Sequence, residues 1–230
     1  MKEPTMSHHP KQPGKDGKKR RGAAIILALC AASPQAIAET SQATPTAATA
    51  AEEDAWVARL GAWADEFEIP ADVLPRDKAA LLALQELNLY HDDGLRPNIT
   101  WLPSEIGQLQ QLQKLVLWGN QLSSLPAAIG QLQQLQVLYL GSNQLSTLPA
   151  VIWQLQQLQV LDLVGNQLSS LPAEIGQLQQ LQYLTLSNNP LSTLPEEIGQ
   201  LRQLVHLDIK NNPELRLTPA QEQFLQGLHM

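Results

Sequence analysis

The chain has 230 residues, 43% of them hydrophobic and 4% aromatic, with 15 Lys and Arg against 22 Asp and Glu and a formal charge of −7. An acidic chain with scattered basic residues lacks the electrostatic footprint that binding a phosphate backbone requires, so nucleic acid is not expected as a partner. The single cysteine, Cys30, excludes an internal disulfide and a thiolate metal site.

Residues 1–38 read as a signal peptide. The basic run Lys18-Lys19-Arg20-Arg21 leads into the apolar stretch Ala23 to Ala32, and Ser33-Pro34-Gln35-Ala36-Ile37-Ala38 supplies an Ala-x-Ala site with cleavage before Glu39. The apolar stretch is about half of the ~20 residues needed to cross hydrocarbon as a helix, so no stable membrane span is expected. Translation from Met6 in place of Met1 gives a basic region of more ordinary length, and both starts stay open. Leu27-Ala28-Leu29-Cys30 is similar to a bacterial lipoprotein box, but Leu29 stands where that family favours a small residue, so a lipid anchor on Cys30 is not expected. The expected localisation is periplasmic or secreted. Residues 1–38 carry 7 of the basic and 2 of the acidic groups, which leaves 8 against 20 and a charge of −12 after removal. Residues 39–53, ETSQATPTAATAAEE, have almost nothing to bury and read as a flexible Ala/Thr-rich linker.

From 54 to 83 the sequence predicts a helical N-terminal cap. Trp56, Val57, Leu60, Trp63 and Phe67 recur at helical spacing, Pro70 and Pro75 break the pattern, and Leu81 and Leu82 precede the first strand. Trp56 and Trp63 could pair around a ligand, but a stripe at this spacing reads as core.

A repeat array is expected over 84–215. Leu112, Leu135, Leu158, Leu181 and Leu204 lie 23 residues apart, on the pattern L-x-x-L-x-L-x-x-N-x-L-x-x-L-P-x-x-I-x-x-L-x-x. Leu84, Leu87 and Leu89 begin an earlier copy, stretched to 28 residues by His91 to Thr100. Within each unit the period changes. Leu138 and Leu140 alternate with outward residues, as in a strand with one buried face, whereas Leu148-Pro149-x-x-Ile152-x-x-Leu155 spaces its apolar groups by three or four, as in a short helical or extended return. One unit cannot cover its own leucines, so the units must stack, about six strands forming a parallel sheet. Asn120, Asn143, Asn166, Asn189 and Asn212 hold one equivalent position after each strand, where an amide ladder can satisfy turn groups that have no sheet partner.

This pattern resembles the leucine-rich-repeat family, in the 23-residue class with the LPxxIGxLxxLxxLxLxxNxL consensus found in Ras-pathway scaffolds and bacterial exported proteins. The resemblance covers about Leu84 to Leu215, and the run Leu74-Pro75-Arg76-Asp77-Lys78 looks like the flank of bacterial members. It implies an α/β solenoid, a curved horseshoe that binds protein partners or other macromolecules on its concave, strand-lined face. Three positions depart from it: Asp92 replaces the repeated Asn, Gly94 takes the next leucine's place, and Leu215 arrives one residue late. They are expected to mark the ends of the array. Over 216–230, Thr218-Pro219-Ala220-Gln221 has the signature of a helix start, and Phe224, Leu225 and Leu228 would cover the last repeat as a C-terminal helical cap.

The residues between the strand leucines should point to the concave side. One column is Glu86, Lys114, Val137, Val160, Tyr183 and His206; the next is Asn88, Val116, Tyr139, Asp162, Thr185 and Asp208; the third is Tyr90, Trp118, Gly141, Val164, Ser187 and Lys210. Six strands give a face about 25 Å across. Val116, Trp118, Val137, Tyr139, Val160, Val164 and Tyr183 form an exposed apolar band, flanked by Asp162, His206 and Asp208, and together these ten are the expected partner-binding residues. Trp118, which has no packing duty there, is expected to anchor a partner with Tyr139 and Tyr183. On the convex side the pairs Gln133-Gln134 and Gln156-Gln157 read as solvated spacers. Trp153, in the place of Gly130 and Gly176, reads either as a second contact or as an ordinary exposed aromatic.

Catalysis is not expected. Asp162 and Asp208 are two strands, about 9.6 Å, apart, within reach of an inverting carboxylate pair, yet an open face should not offer the apolar burial that raises one carboxyl pKa. No nucleophile with a positioned base, no phosphate-binding glycine loop and no clustered metal ligands can be assembled, so neither cofactor nor metal is expected. His8 and His9 lie in the segment to be removed, and Asn98-Ile99-Thr100 matches a glycosylation acceptor. Effector ubiquitin ligases with leucine-rich repeats have shorter repeats and a separate cysteine-bearing domain, which this chain lacks. The expected function is therefore an exported, non-catalytic protein-binding module. Its rivals are a bacterial effector acting on host signalling proteins and an envelope glycan binder stacking sugars on Trp118 and Tyr139. The sequence carries no signal for an oligomeric state.

Overall fold

The computed structural model describes residues 54–91 and 96–228. The signal peptide, the linker and the departures at Asp92 and Gly94 lie outside them. The first described element is helix α1, Ala55–Glu66, which buries Trp56, Leu60, Trp63 and Ala64. Helix α2, Lys78–Leu82, starts where the Asp77 side chain accepts from Ala80 N. It buries Leu81, whereas Leu82 stays exposed. Trp63 Nε1 donates to the Trp101 carbonyl at 3.1 Å, and Phe67 meets the exposed Trp101 ring edge-on at 6.3 Å.

Six parallel strands follow in sequence order: β1 Glu86–Asn88, β2 Lys114–Val116, β3 Val137–Tyr139, β4 Val160–Asp162, β5 Tyr183–Thr185 and β6 His206–Asp208. Their register aligns Leu87, Leu115, Leu138, Leu161, Leu184 and Leu207 in one fully buried row. Each strand is only three residues long, but coil-to-coil hydrogen bonds continue past it, as from Leu117 N to Tyr139 O at 2.8 Å and from Ser142 N to Val164 O at 2.7 Å.

The return segments are 3₁₀ turns: Ser104–Gln108 (η1), Ala127–Gln131 (η2), Ala150–Gln154 (η3), Ala173–Gln177 (η4) and Glu196–Gln200 (η5). The L-P-x-x-I signature explains them. Each proline is held extended by its ring and offers its carbonyl to the isoleucine three residues on, as from Ile129 N to Pro126 O at 3.0 Å. That isoleucine is then driven into the core. The leucines and isoleucines of the array make one continuous core with α1 and with Leu225 of the final helix α3, Pro219–Gln226. Burial of each such side chain contributes on the order of 2 kcal/mol, realised only because a neighbouring coil covers it. Helix α3 begins with a reciprocal cap in which Thr218 N donates to Gln221 Oε1 at 3.0 Å and Gln221 N donates to Thr218 Oγ1 at 3.3 Å.

The repeated asparagines are buried and bridge adjacent coils. Asn143 Nδ2 donates to Leu140 O of its own coil at 2.9 Å and to Leu117 O of the preceding one at 3.0 Å, while its Oδ1 accepts from Leu122 N at 3.0 Å. Asn120, Asn166, Asn189 and Asn212 repeat this set. The residue before each is left-handed: Gly119, Ser142, Gly165, Asn188 and Asn211 have φ of 76°, 52°, 64°, 56° and 56°. Glycine and asparagine tolerate that region best, which accounts for every residue of the column except Ser142. At the ladder's first rung a guanidinium does amide work, since Arg96 donates to the Leu89 carbonyl and to Asn120 Oδ1.

Two convex-side readings change. Trp153 is neither a surface contact nor an exposed aromatic, because it is 2% exposed and among the largest fully buried side chains. Its position lies between successive 3₁₀ turns and not on their outer surface. At the equivalent Gly130 an added Cβ would stand 2.6 Å from Val151 Cβ, and at Gly107 2.7 Å from Ala128 O. An indole fits at 153 because η3 and η4 approach each other less closely than η1 and η2. The Gln-Gln pairs are solvent-exposed, yet Gln133 Nε2 also donates to Gly130 O at 2.6 Å, closing its own 3₁₀ turn.

Candidate binding face

Strand alternation puts the residues flanking each buried leucine on one side of the sheet. The register aligns Glu86, Lys114, Val137, Val160, Tyr183 and His206 in one row and Asn88, Val116, Tyr139, Asp162, Thr185 and Asp208 in another. Tyr90, Trp118, Gly141, Val164, Ser187 and Lys210 follow at the strand ends.

The apolar part of this face is less open than its composition suggests. Val116 is 7% exposed, which corrects its place in an exposed band. Val137, Tyr139, Val160, Val164, Tyr183 and Trp118 are all half-buried. Trp118 does have a packing duty: its indole stacks on Tyr90 with centroids 5.3 Å apart and planes 17° from parallel. It also lies across Gly141, where an added Cβ would stand 2.4 Å from Trp118 Cδ1 and 2.8 Å from Val164 Cγ1. The glycine is the space the indole occupies. Tyr90 and Gly141 thus belong to the platform, and the readable signal was their place in Trp118's own column.

Toward the C-terminal strands the face turns polar. Asp162 Oδ1 accepts from Val164 N at 3.0 Å and from Thr185 Oγ1 at 2.6 Å. Asp208 Oδ1 accepts from Lys210 N at 3.1 Å, and Asn88 plays the same part for Tyr90 N at 3.1 Å. These three side chains therefore each hold a strand end, besides facing outward. Burial pushes the Asp162 carboxyl above its usual range, its bonds to Thr185 and Val164 pull it back, and the charge of Asp208 adds to the rise. The expectation that no carboxyl here is raised by burial is thus corrected at Asp162. Tyr183 and His206 lie side by side, ring centroids 6.2 Å apart, and Lys114 pairs with Glu86 at 2.6 Å. Among the described residues no group of three or more His, Cys, Asp or Glu could hold a metal ion, and no helix is long and apolar enough to cross a membrane.

The same architecture recurs in solved structures. A leucine-rich-repeat protein of Leptospira interrogans is 41% identical over 63% of this chain and 36% of its own, with a TM-score of 0.56. The ectodomain of the Arabidopsis thaliana receptor kinase GASSHO1/SCHENGEN3, solved in complex with Casparian strip integrity factor 2, is 38% identical over 58% of this chain and 16% of its own, with a TM-score of 0.51. The functional domain of InlJ from Listeria monocytogenes is 26% identical over 62% of this chain and 29% of its own, at a TM-score of 0.50. The chain thus spans about a third or less of the length of each. No curated protein matches it. A family model described as a leucine-rich repeat region matches residues 76–167 and 150–229, which takes in every strand, every 3₁₀ turn and the terminal helix α3. With that match, the stacked 23-residue coils and the asparagine ladder, the chain belongs to the leucine-rich-repeat family.

Proposed function

We propose that this protein is an exported, non-catalytic module that holds a protein partner on the strand-lined face of its solenoid. The observation that carries the reading is the set of half-buried aromatics Trp118, Tyr139 and Tyr183, presented on the same side of the parallel sheet from three different coils. Side chains with few rotatable bonds and a large contact area supply anchor energy at little entropic cost. The related plant ectodomain, solved in complex with another factor, supports a binding role. Against catalysis, Asp162 and Asp208 each use one oxygen to hold a strand end. Export is supported by the basic run, apolar stretch and Ala36-x-Ala38 site.

The test is affinity capture with the full chain, followed by the triple variant Trp118→Ala, Tyr139→Ala, Tyr183→Ala on the partner so identified. The variant is expected to lose at least tenfold in affinity with its far-ultraviolet circular dichroism unchanged. Full affinity in a folded triple variant overturns the assignment of the face. An intact N-terminus on the protein recovered outside the cell overturns the export route.

A further inference from the structure

The chemistry of the strand face changes along the stacking axis. Trp118, Val137, Tyr139 and Val164 lie on the coils of β2 to β4 and Tyr183 on β5, whereas the carboxylates Asp162 and Asp208 lie on β4 and β6 with Thr185 between them on β5; the face's other carboxylate, Glu86 on β1, is paired with Lys114. Both aspartates use Oδ1 for internal hydrogen bonds. Among the described residues neither takes part in an ion pair, although four other carboxylates do. A partner that covered this end with apolar groups would desolvate two carboxylates that have no ion-pair partner, a cost that a cation offsets.

We propose that the partner lies across the strands as an extended segment, with an apolar side chain against Trp118 and Tyr139 and a lysine or arginine over Thr185 between Asp162 and Asp208. This rests on the strand face being the binding site. Spacing follows from the sheet: β2 and β5 are three strand intervals apart, about 14 Å, and an extended chain advances about 3.4 Å per residue. The apolar and basic residues are therefore four or five positions apart. The raised Asp162 carboxyl agrees with this placement, since burial and the neighbouring Asp208 both make negative charge costly until a cation arrives. The acid excess of the chain, 22 against 15, steers a basic segment toward the protein, so association should weaken as salt rises.

The probe is a phage library of random dodecapeptides selected on the immobilised full chain. Enriched clones are expected to carry Lys or Arg four or five positions from Trp, Phe or Leu. A synthetic consensus peptide is then titrated calorimetrically against the parent, against Asp162→Asn with Asp208→Asn, and against Trp118→Ala. Asparagine keeps the Oδ1 acceptor, so the strand ends stay satisfied. The double variant is expected to bind about tenfold more weakly, and replacing the peptide's basic residue by Gln should cost the same and add nothing in the double variant. If that variant fails to fold, the Gln peptide on the parent reads the same contact. Enrichment of acidic or uncharged peptides, or binding lost in Trp118→Ala but unchanged by both charge tests, overturns the basic contact and leaves the binding face standing. Binding indifferent to Trp118→Ala and to the charge tests overturns both.

Discussion

Asn166→Ala isolates what one rung of the amide ladder contributes. The parent side chain accepts from Leu145 N at 3.0 Å and donates to Leu140 O at 3.0 Å and Leu163 O at 3.1 Å. These losses are unequal. Leu140 O keeps a donor from Asn143 at 2.9 Å and Leu163 O keeps one from Asn189 at 2.9 Å, so each carbonyl falls from two amide partners to one. The buried Leu145 N–H is left with none. An orphaned donor costs about 1–3 kcal/mol and each half-satisfied carbonyl about 0.5 kcal/mol, so the expected loss is about 3 kcal/mol. For an array of this size that lowers the melting temperature by about 6–12 °C. Differential scanning calorimetry reads the shift directly. Asn166→Asp separates donor from acceptor, because it still receives Leu145 N but sets a carboxylate against two carbonyls, and it should also melt early. An unchanged melting temperature for Asn166→Ala would refute the claim that these amides bind the coils together.

Two further substitutions probe positions that the fold redefined. Trp153→Gly installs the residue that equivalent coils carry, yet it empties a site 2% exposed, so it is expected to cost about 3–5 kcal/mol in urea unfolding; a neutral result would mean that η3 and η4 close up to the spacing of the other turns. Asp162→Asn tests the carboxyl that burial raises. A raised folded-state pKa means that ionisation costs stability: the penalty is absent below the unfolded value of about 3.9 and grows as pH rises through the folded one. The advantage of Asp162→Asn over the parent, measured as urea midpoints from pH 3 to 7, should therefore widen toward neutrality, and a gap independent of pH contradicts the burial assignment.

Much of the candidate binding face was legible because two periodicities overlie one another. A repeat of 23 fixes which residues are neighbours between coils, and strand alternation fixes which of them face outward, so the rows led by Glu86 and Asn88 follow from counting. Counting does not reveal how far a side chain leans. Val116 sinks to 7% exposure, and Trp118 folds down onto Gly141 and Tyr90. Thr185 became part of the site only when its hydroxyl was seen to donate to Asp162. Arg96 could not be placed in the ladder from sequence, because it reaches the first rung from a stretch that breaks the period.

The repeat alone determined the fold, since leucines spaced for a strand and then for a turn can be buried only by stacking identical coils, and the register follows from their equivalence. The sites of close approach were decided by the tertiary structure. Whether the residue at 153 faces water or a neighbouring turn, and whether the carboxylate at 162 is solvated or half-desolvated, depends on coil-to-coil distances of a few ångströms. Those distances arise from the packing of side chains far apart in the chain, and no local pattern of residue types encodes them.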